Sequence, residues 1–252
     1  MNHVVCCVPV SAVRASASHK SEMVTQHIFG EILEILEEQN EWSRVKNVSD
    51  DYEGWCLKAH VIPIQYPQRE KPQFTGDWVN VIRLDGNLMY LPFGCDLSVF
   101  LSDTKNFLPQ FDFRGNYLTI DTGAQVTDSV ISFSEMFLNT AYLWGGKSVF
   151  GIDCSGLTQS VYRLAGLSLP RDAWQQAEKG NPITTLQQSK RGDLAFFDNK
   201  ENRIVHVGIL VDDHTIIHAS GKVRIDLINE EGILHSETKK YTHHLCGIRR
   251  YF

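Results

Sequence analysis

The predicted elements after about residue 123 follow an order that restricts the fold of this chain more than any other feature. Ser132, followed three residues later by Glu135, has the pattern of a capping box, so a helix is expected to begin there. A second helix is expected to begin at Asp153, a good N-cap residue, and to end before Gly166. Segments of strand character then follow to the end of the chain: 194–197, 204–211, 215–219, 222–227 and 244–251. Helices followed by consecutive strands are typical of an α+β domain.

The part of the chain before residue 123 is predicted to consist of short strands and turns. Apolar runs of strand length recur roughly every ten residues at the beginning, which suggests a small β-barrel, although residues 32–36 also fit one face of a helix. A polar segment with Pro63, Pro67 and Pro72 is typical of a linker. The strands after it form either a second small β module or an extension of the first. We therefore expect three regions: 1–65, a β-barrel domain; 66–122, a linker and second β module; and 123–252, the α+β domain.

Composition excludes several classes of protein. The chain has 252 residues, enough to bury a sizeable core without disulfide staples. Its 24 Lys and Arg and 30 Asp and Glu give a formal charge of −6, which argues against a nucleic-acid partner. No apolar run approaches the about 20 residues that a membrane-spanning helix requires, and neither a G-x-G-x-x-G motif nor a P-loop indicates a nucleotide.

The cysteines and the N-terminus bear on cofactors and location. None of the six cysteines forms a C-x-x-C pair, so a zinc site of ordinary spacing is not predicted and we expect neither a metal nor a cofactor. The apolar run Val4–Val10 is short and lacks a basic segment before it, so it does not have the pattern of a secretory signal. These features predict reduced thiols and a cytoplasmic location, although a trimmed exported protein would share them.

Cys154 is the strongest candidate for a catalytic residue. It is predicted to lie in the first turn of a helix behind Asp153, where unpaired N–H groups and the helix dipole favour an anion. We therefore expect the pKa of its thiol to fall from about 8.5 into the range of about 3.5–7.5 when a protonated histidine is close, so that a nucleophilic thiolate is available. Small residues nearby would let a substrate backbone approach closely: Gly145, Gly146, Gly151 and Gly156.

His206 and His218 are the candidate base and orienting group that such a nucleophile requires. A hairpin turn centred on Asp212 would place them directly opposite each other, with Cβ atoms about 5 Å apart. A register slipped by one residue would put the two rings on opposite faces of the sheet. The alternative interpretation, a buried structural cysteine and two core histidines, requires three independent coincidences. Other histidines have no comparable sequence context: His3, His60, His243 and His244.

Several motifs in residues 125–252 resemble the NlpC family of papain-like cysteine peptidases, which act on bacterial cell-wall peptides. The motifs are Tyr142-Leu143-Trp144-Gly145-Gly146, Gly151-Ile152-Asp153-Cys154-Ser155-Gly156, Leu169-Pro170-Arg171, Arg191-Gly192-Asp193-Leu194, His206-Val207-Gly208-Ile209 and His218-Ala219. The N-terminal segment resembles a bacterial SH3-like domain on Gln26, Gly30-Glu31, Glu41-Trp42, Val45 and Tyr52-Glu53-Gly54-Trp55. This pairing of domains is similar to that of family members that cleave γ-D-glutamyl–L-diamino acid bonds in muropeptide stems.

The resemblance implies a papain-like fold for residues 123–252 and a role for each matching residue. Cys154 would be the nucleophile, His206 the base and His218 the third member of a catalytic triad. Tyr142 would lie beside the oxyanion and the substrate.

The resemblance also implies substrate contacts. Asp153 and Ser155, which flank the nucleophile, would hold the free amino-terminal L-Ala of the peptide, because a carboxylate pairs well with an ammonium group. In such relatives the SH3-like domain closes one end of the cleft with a carboxylate and an aromatic ring, and Glu31 and Tyr66, the first linker residue, are the candidates for these two groups. Trp144 and Arg171 complete the candidate set.

The predicted activity is hydrolysis of the γ-D-glutamyl–L-diamino acid bond in murein-derived peptides with a free N-terminal L-Ala, in cytoplasmic recycling of cell-wall peptides. One alternative is an N-acetylmuramoyl-L-alanine amidase that uses the same triad. Another is a non-catalytic module that binds wall fragments, in which Cys154 is merely buried. The sequence leaves open whether the diamino acid is meso-diaminopimelate or L-Lys.

Overall fold

The computed structural model describes residues 2–65, 72–102, 108–120 and 126–252, and the chain forms two compact units. The N-terminal unit contains Met1–Ile120 together with Trp144–Val149, and the C-terminal unit contains Asp121–Leu143 and Phe150–Phe252. The segment Trp144–Val149 thus belongs to the N-terminal unit, although its neighbours along the chain belong to the other. Across the described ranges, every helix falls short of the length and apolar character that a membrane crossing needs.

The N-terminal unit begins with a seven-stranded antiparallel sheet in the order β3-β2-β6-β5-β4-β1-β7. Its strands are β1 (His3–Cys6), β2 (Val10–Arg14), β3 (Met23–Ile28), β4 (Ile32–Gln39), β5 (Trp42–Asn47), β6 (Glu53–Leu57) and β7 (Val61–Pro63). Residues 32–36 therefore form a strand, not a helix. Asn40 takes a left-handed φ of 50° in the tight turn between β4 and β5. The sheet encloses a small core of Val4, Leu33, Val45 and Cys56.

The rest of the N-terminal unit consists of two small sheets and a one-turn helix. They contain β8 (Gln73–Thr75), β9 (Val79–Leu84), β10 (Asn87–Pro92), α1 (Ser98–Leu101), β11 (Phe111–Phe113) and β12 (Tyr117–Thr119). The short strand β13 (Lys147–Ser148) also belongs to this unit but to neither of these sheets. Their apolar residues share one core with the first sheet, in which Phe29 stacks on Phe100 with ring centroids 4.5 Å apart. Gly30 is required at this junction, because its φ is +87° and a Cβ there would lie 1.6 Å from the carbonyl oxygen of Asp96.

The C-terminal unit has the predicted α+β composition, with helices first and an antiparallel sheet after them. Its elements are α2 (Val126–Glu135), β14 (Gly151–Ile152), α3 (Cys154–Leu164), α4 (Ala173–Ala177), β15 (Asn181–Ile183), β16 (Leu194–Asp198), β17 (Ile204–Leu210), β18 (Thr215–Ser220), β19 (Lys222–Asn229), β20 (Gly232–Leu234) and β21 (Tyr241–Arg250). The sheet order is β15-β21-β16-β17-β18-β19-β20, and β21 also pairs with β20, so β16 to β21 close into a ring.

Helix α3 begins and ends where the sequence predicts. The Asp153 side chain accepts a hydrogen bond from the Gly156 backbone N–H at 2.7 Å, which caps the first turn. Gly166 has a φ of +86° just after the helix, and the N–H of Leu167 bonds back to the carbonyl of Tyr162. This is the hydrogen-bond pattern of a Schellman ending. Helix α3 packs on β17 and β18, which brings its first turn close to the strands that carry the two histidines.

The prediction that a helix begins at Ser132 is wrong. Helix α2 already runs from Val126 and ends at Glu135, so the Ser-x-x-Glu pattern occupies its last turns. Its buried face contains Val130, Ile131 and Ser134, and the Ser134 hydroxyl donates to the Ile131 carbonyl within the helix. The bounds of α2 are determined by the burial of this face, and a local sequence motif contains no information about burial.

Candidate active site

Cys154 is the first residue of α3 and is nearly buried, with 7% of its surface exposed. Backbone N–H groups of Val207 and Ser155 donate hydrogen bonds to its sulfur. Burial nevertheless raises the pKa of the Cys154 thiol to about 11, and the negative charge of Asp153 adds to the rise. The expected low thiol pKa is therefore wrong for the resting protein, because desolvation outweighs the helix N-terminus. The resting group is a neutral thiol that needs a base.

His206 and His218 lie in contact, as the sequence predicts, but through a different register. The Nε2 atom of His206 is 2.9 Å from Nδ1 of His218. In the hairpin, however, His218 faces Gly208 and not His206. The carboxylate of Asp212 accepts hydrogen bonds from the N–H groups of His214 and Thr215, so three residues form the loop and its centre moves by one position. The pairing shifts by two residues, which leaves both rings on the same face.

Asp226 extends this pair into a chain of three side chains. Its Oδ2 is 3.0 Å from Nε2 of His218, and both residues are buried. Burial alone would raise the pKa of Asp226, but hydrogen bonds from His218, Ser236 and Arg224 together hold it well below its usual range. The Ser236 N–H lies 2.7 Å from Oδ1, and the Arg224 guanidinium contacts both carboxylate oxygens, at 2.8 and 3.1 Å. Asp226 is therefore an ionised hydrogen-bond acceptor.

This acceptor determines where the ring protons lie. Because Asp226 can only accept, Nε2 of His218 carries a proton and its Nδ1 is left as an acceptor. Nε2 of His206 must then donate to that atom, so Nδ1 of His206 holds a free lone pair. Burial lowers the pKa of His206 well below its usual value, and the neighbouring His243 and His218 lower it further. The chain of side chains thus prepares a neutral His206 whose Nδ1 can take a proton.

His243 is a third imidazole at this site that the sequence pattern did not reveal. It lies on β21 and stacks on His206, with ring centroids 4.1 Å apart and planes 22° apart. Burial lowers the pKa of His243 to about 4. No local signal marks this residue, because β21 reaches β16 and β20 only through long-range pairing. The sequence did contain a signal for Asp226. Arg224 and Asp226 are two positions apart and so share one face of β19, and Arg224 lies opposite His218 in the hairpin.

A second cluster surrounds the start of α3. Arg171 is 1% exposed, and its guanidinium donates to both carboxylate oxygens of Asp153 at 2.6 and 3.0 Å and to the Ser155 hydroxyl at 2.9 Å. Tyr142 is half-buried; burial raises its pKa to about 12, and the charges of Cys154 and Asp153 contribute to the rise. The structure therefore brings Tyr142, Asp153, Ser155 and Arg171 together beside the nucleophile candidate.

Two other candidate residues, Glu31 and Trp144, lie in the N-terminal unit. Glu31 is buried, and its carboxylate accepts hydrogen bonds from Nζ of Lys147 at 2.9 Å and from the Asn47 amide at 3.2 Å. Trp144 is 62% exposed, and its indole N–H donates to Glu22 at 2.8 Å. Tyr66 lies outside the described residues. The roles of these three residues in substrate binding stay predictions.

Two family models match the chain. The NlpC/P60 family matches residues 139–246, and the bacterial dipeptidyl-peptidase Sh3 domain matches residues 13–61. The gamma-D-glutamyl-L-lysine dipeptidyl-peptidase of Bacillus subtilis (strain 168) is 30% identical over 253 residues, which covers 90% of this chain and 81% of that protein. Dipeptidyl-peptidase 6 of Lysinibacillus sphaericus is 27% identical, with 86% of this chain and 88% of that protein covered.

Solved structures agree on the fold. An NlpC/P60 family protein from Bacillus cereus ATCC 10987 superposes with a TM-score of 0.80 at 19% sequence identity, covering 99% of both chains. An NlpC/P60 endopeptidase from Photobacterium damselae subsp. piscicida gives a TM-score of 0.71 at 14% identity, over 90% of this chain and 66% of that one. The likeness supports an SH3-like strand-rich region followed by a papain-like domain.

Proposed function

Because the chain belongs to the NlpC/P60 family of cysteine peptidases and carries a bacterial SH3-type domain, we propose that it hydrolyses the γ-D-glutamyl–L-diamino acid bond of murein-derived peptides. We infer the bond that is cleaved from the names of two relatives, which are gamma-D-glutamyl-L-lysine dipeptidyl-peptidases. The observation that carries the proposal is the hydrogen-bonded series from His206 through His218 to Asp226, together with the hydrogen bond to the Cys154 sulfur from the backbone N–H of Val207, the residue after His206.

The proposed reaction begins with a neutral thiol and a neutral imidazole. As the Cys154 sulfur attacks the γ-carbonyl carbon of D-glutamate, its proton passes to Nδ1 of His206. Collapse of the tetrahedral species breaks the C–N bond, and the amino group of the diamino acid leaves with that proton. A thioester remains on Cys154. Water attacks it with His206 as base, which releases the dipeptide and returns the proton to sulfur.

Other residues of the unit support these steps. His218 and Asp226 hold His206 in the correct tautomer and stabilise the imidazolium while it carries the extra proton. Tyr142 keeps its phenolic proton through neutral pH, because burial raises its pKa to about 12, so it can donate to the oxyanion.

We assign recognition of the free L-Ala amino group to Asp153 and Ser155. Arg171 fixes the orientation of the Asp153 carboxylate through two hydrogen bonds, so an incoming ammonium meets a carboxylate that is already in place. A requirement for a free amino terminus restricts the substrates to peptides already released from the glycan. The proposed setting is therefore recycling of wall fragments in the cytoplasm.

The test is product analysis by mass spectrometry with L-Ala-γ-D-Glu-diaminopimelate and the matching L-Lys peptide. The expected products are L-Ala-D-Glu and the free diamino acid, and Cys154→Ala should form neither. Acetylation of the L-Ala amino group should lower kcat/KM at least 100-fold if an ammonium is recognised. Release of intact peptide from a muramoyl substrate would indicate the amidase instead, and equal turnover by wild type and Cys154→Ala would refute the proposal.

A further inference from the structure

The imidazoles of His206, His218 and His243, on β17, β18 and β21, lie close together. The proposed reaction uses only the first two. One nitrogen atom from each of His206, His218 and His243 lies within 4.8 Å of the other two. The rings of His206 and His243 are stacked, and the ring of His218 stands nearly perpendicular to both, at 85°. His206 and His218 are buried, while His243 is half-buried at the edge of the cluster.

Neutral imidazoles at this spacing are good ligands for a divalent transition metal. Two nitrogens bound to one tetrahedral Zn²⁺ at about 2.0–2.1 Å are separated by about 3.3 Å. Nε2 of His206 and Nδ1 of His218 are already 2.9 Å apart. A metal would replace the proton that these atoms share, with a small tilt of each ring. His243 would turn out of its stacked position to supply the third nitrogen.

The residues behind His218 have the arrangement found around metal-bound histidines. His218 bonds Asp226 through Nε2, so its Nδ1 is left as the donor atom for a metal. Such a carboxylate–histidine pair fixes the ring and increases its basicity as a ligand. Arg224 and Ser236 in turn hold Asp226.

Solvent reaches the cluster on the His243 side. An open cleft there is lined by Glu230, Glu231, Tyr241, Thr242, His243 and His244. The two glutamates give the cleft negative charge, which raises the local concentration of cations. A metal ion can therefore approach His243 from solvent through this cleft.

From these observations we propose that His206, His218 and His243 form a binding site for a divalent transition metal such as Zn²⁺, and that its occupation stops the peptidase. The inhibitory part rests on the proposed functions of His206 and His218. The metal takes the two nitrogens that form the His206–His218 hydrogen bond, so His206 can no longer be held as a base. Removal of the metal restores this hydrogen bond.

The experiment measures zinc binding and activity separately on metal-stripped protein. Competition with a chromophoric chelator gives the affinity, and peptide hydrolysis gives the inhibition midpoint. Wild type should bind one Zn²⁺ per chain and lose activity over the same zinc range, with recovery in excess EDTA. His243→Phe keeps a flat ring against His206 but has no nitrogen. It should require at least 100-fold more zinc both for binding and for inhibition, the latter measured relative to its own zinc-free rate.

Two further variants separate this site from a metal held by the nucleophile. His244→Phe is the matched control: it removes the neighbouring histidine, which contacts Asp198 at 2.8 Å, and should change neither midpoint. Cys154→Ala should still bind zinc, and Co²⁺ in the wild type should show no sulfur-to-cobalt charge-transfer band. Loss of binding in Cys154→Ala, or an unchanged midpoint in His243→Phe, would overturn the proposal. The binding arm needs no substrate, so failure of the proposed function would not alter its result.

Discussion

Replacing Asp226 by asparagine tests whether Asp226 fixes the histidine tautomers, because the two side chains share a shape but differ in one hydrogen-bonding group. The Ser236 N–H and one guanidinium nitrogen of Arg224 both donate to Oδ1 of Asp226. The amide oxygen of asparagine must therefore occupy the Oδ1 position, and its NH₂ group must take the place of Oδ2, opposite Nε2 of His218. The NH₂ group of asparagine, a donor, then faces Nε2 of His218, which donates to Asp226 in the wild type.

The substitution changes the tautomer of His218 and, through it, that of His206. His218 must accept at Nε2 and carry its proton at Nδ1, so Nε2 of His206 becomes an acceptor. The proton of His206 then lies on Nδ1, and no base remains for the thiol. An asparagine that fixes the wrong histidine tautomer in a serine protease triad lowers kcat about 10⁴-fold. We expect a loss of about 10³- to 10⁴-fold in kcat for Asp226→Asn.

The assay compares kcat and KM for Asp226→Asn and Asp226→Ala, with thermal unfolding to confirm that both variants fold. KM should change little, because Asp226 lies behind His218 and is buried. Asp226→Ala leaves space for water, which can still accept from His218, so its kcat should exceed that of Asp226→Asn. The opposite order, or a folded Asp226→Asn variant within threefold of wild type, would refute the tautomer argument.

Three other outcomes follow from the contacts described. Lys147→Met leaves the Glu31 carboxylate buried without its cation, so the free energy of unfolding in urea should fall by about 3–5 kcal/mol, and Lys147→Met with Glu31→Gln should recover part of the loss. The rate of Cys154 alkylation by iodoacetamide should rise about tenfold per pH unit from pH 7 towards 10, because the thiolate appears only as the pH approaches a pKa of about 11; a rate already constant at pH 7 would contradict this. Gly30→Ala should lower the free energy of unfolding by about 3 kcal/mol or more through the clash with the Asp96 carbonyl, whereas Gly86→Ala, with open space around it, should cost less.

Local signals in the sequence predicted those parts of the site that local hydrogen bonds determine. Asp153 caps α3 through Gly156, and Gly166 ends it, because both interactions lie within a few residues of the chain. The contact between the His206 and His218 rings was also predicted, although not their register, since any register that shifts by an even number keeps both rings on one face.

Features that depend on long-range packing could not be predicted in this way. The raised pKa of Cys154 results from burial, which the residues around it in sequence do not encode. His243 reaches His206 only because β21 closes the ring of strands. Lys147 pairs with Glu31 across 116 positions of the chain, and no pattern in either segment indicates the partner.

The proposed mechanism requires a covalent thioester between the Cys154 sulfur and the γ-carbonyl of D-glutamate. Acid quenching during turnover, followed by mass spectrometry of the peptide that contains Cys154, tests it most directly. We expect an L-Ala-γ-D-glutamyl adduct on that residue, which disappears when the substrate is exhausted. Sustained release of L-Ala-D-Glu by Cys154→Ala, with no adduct on the wild type, would contradict it.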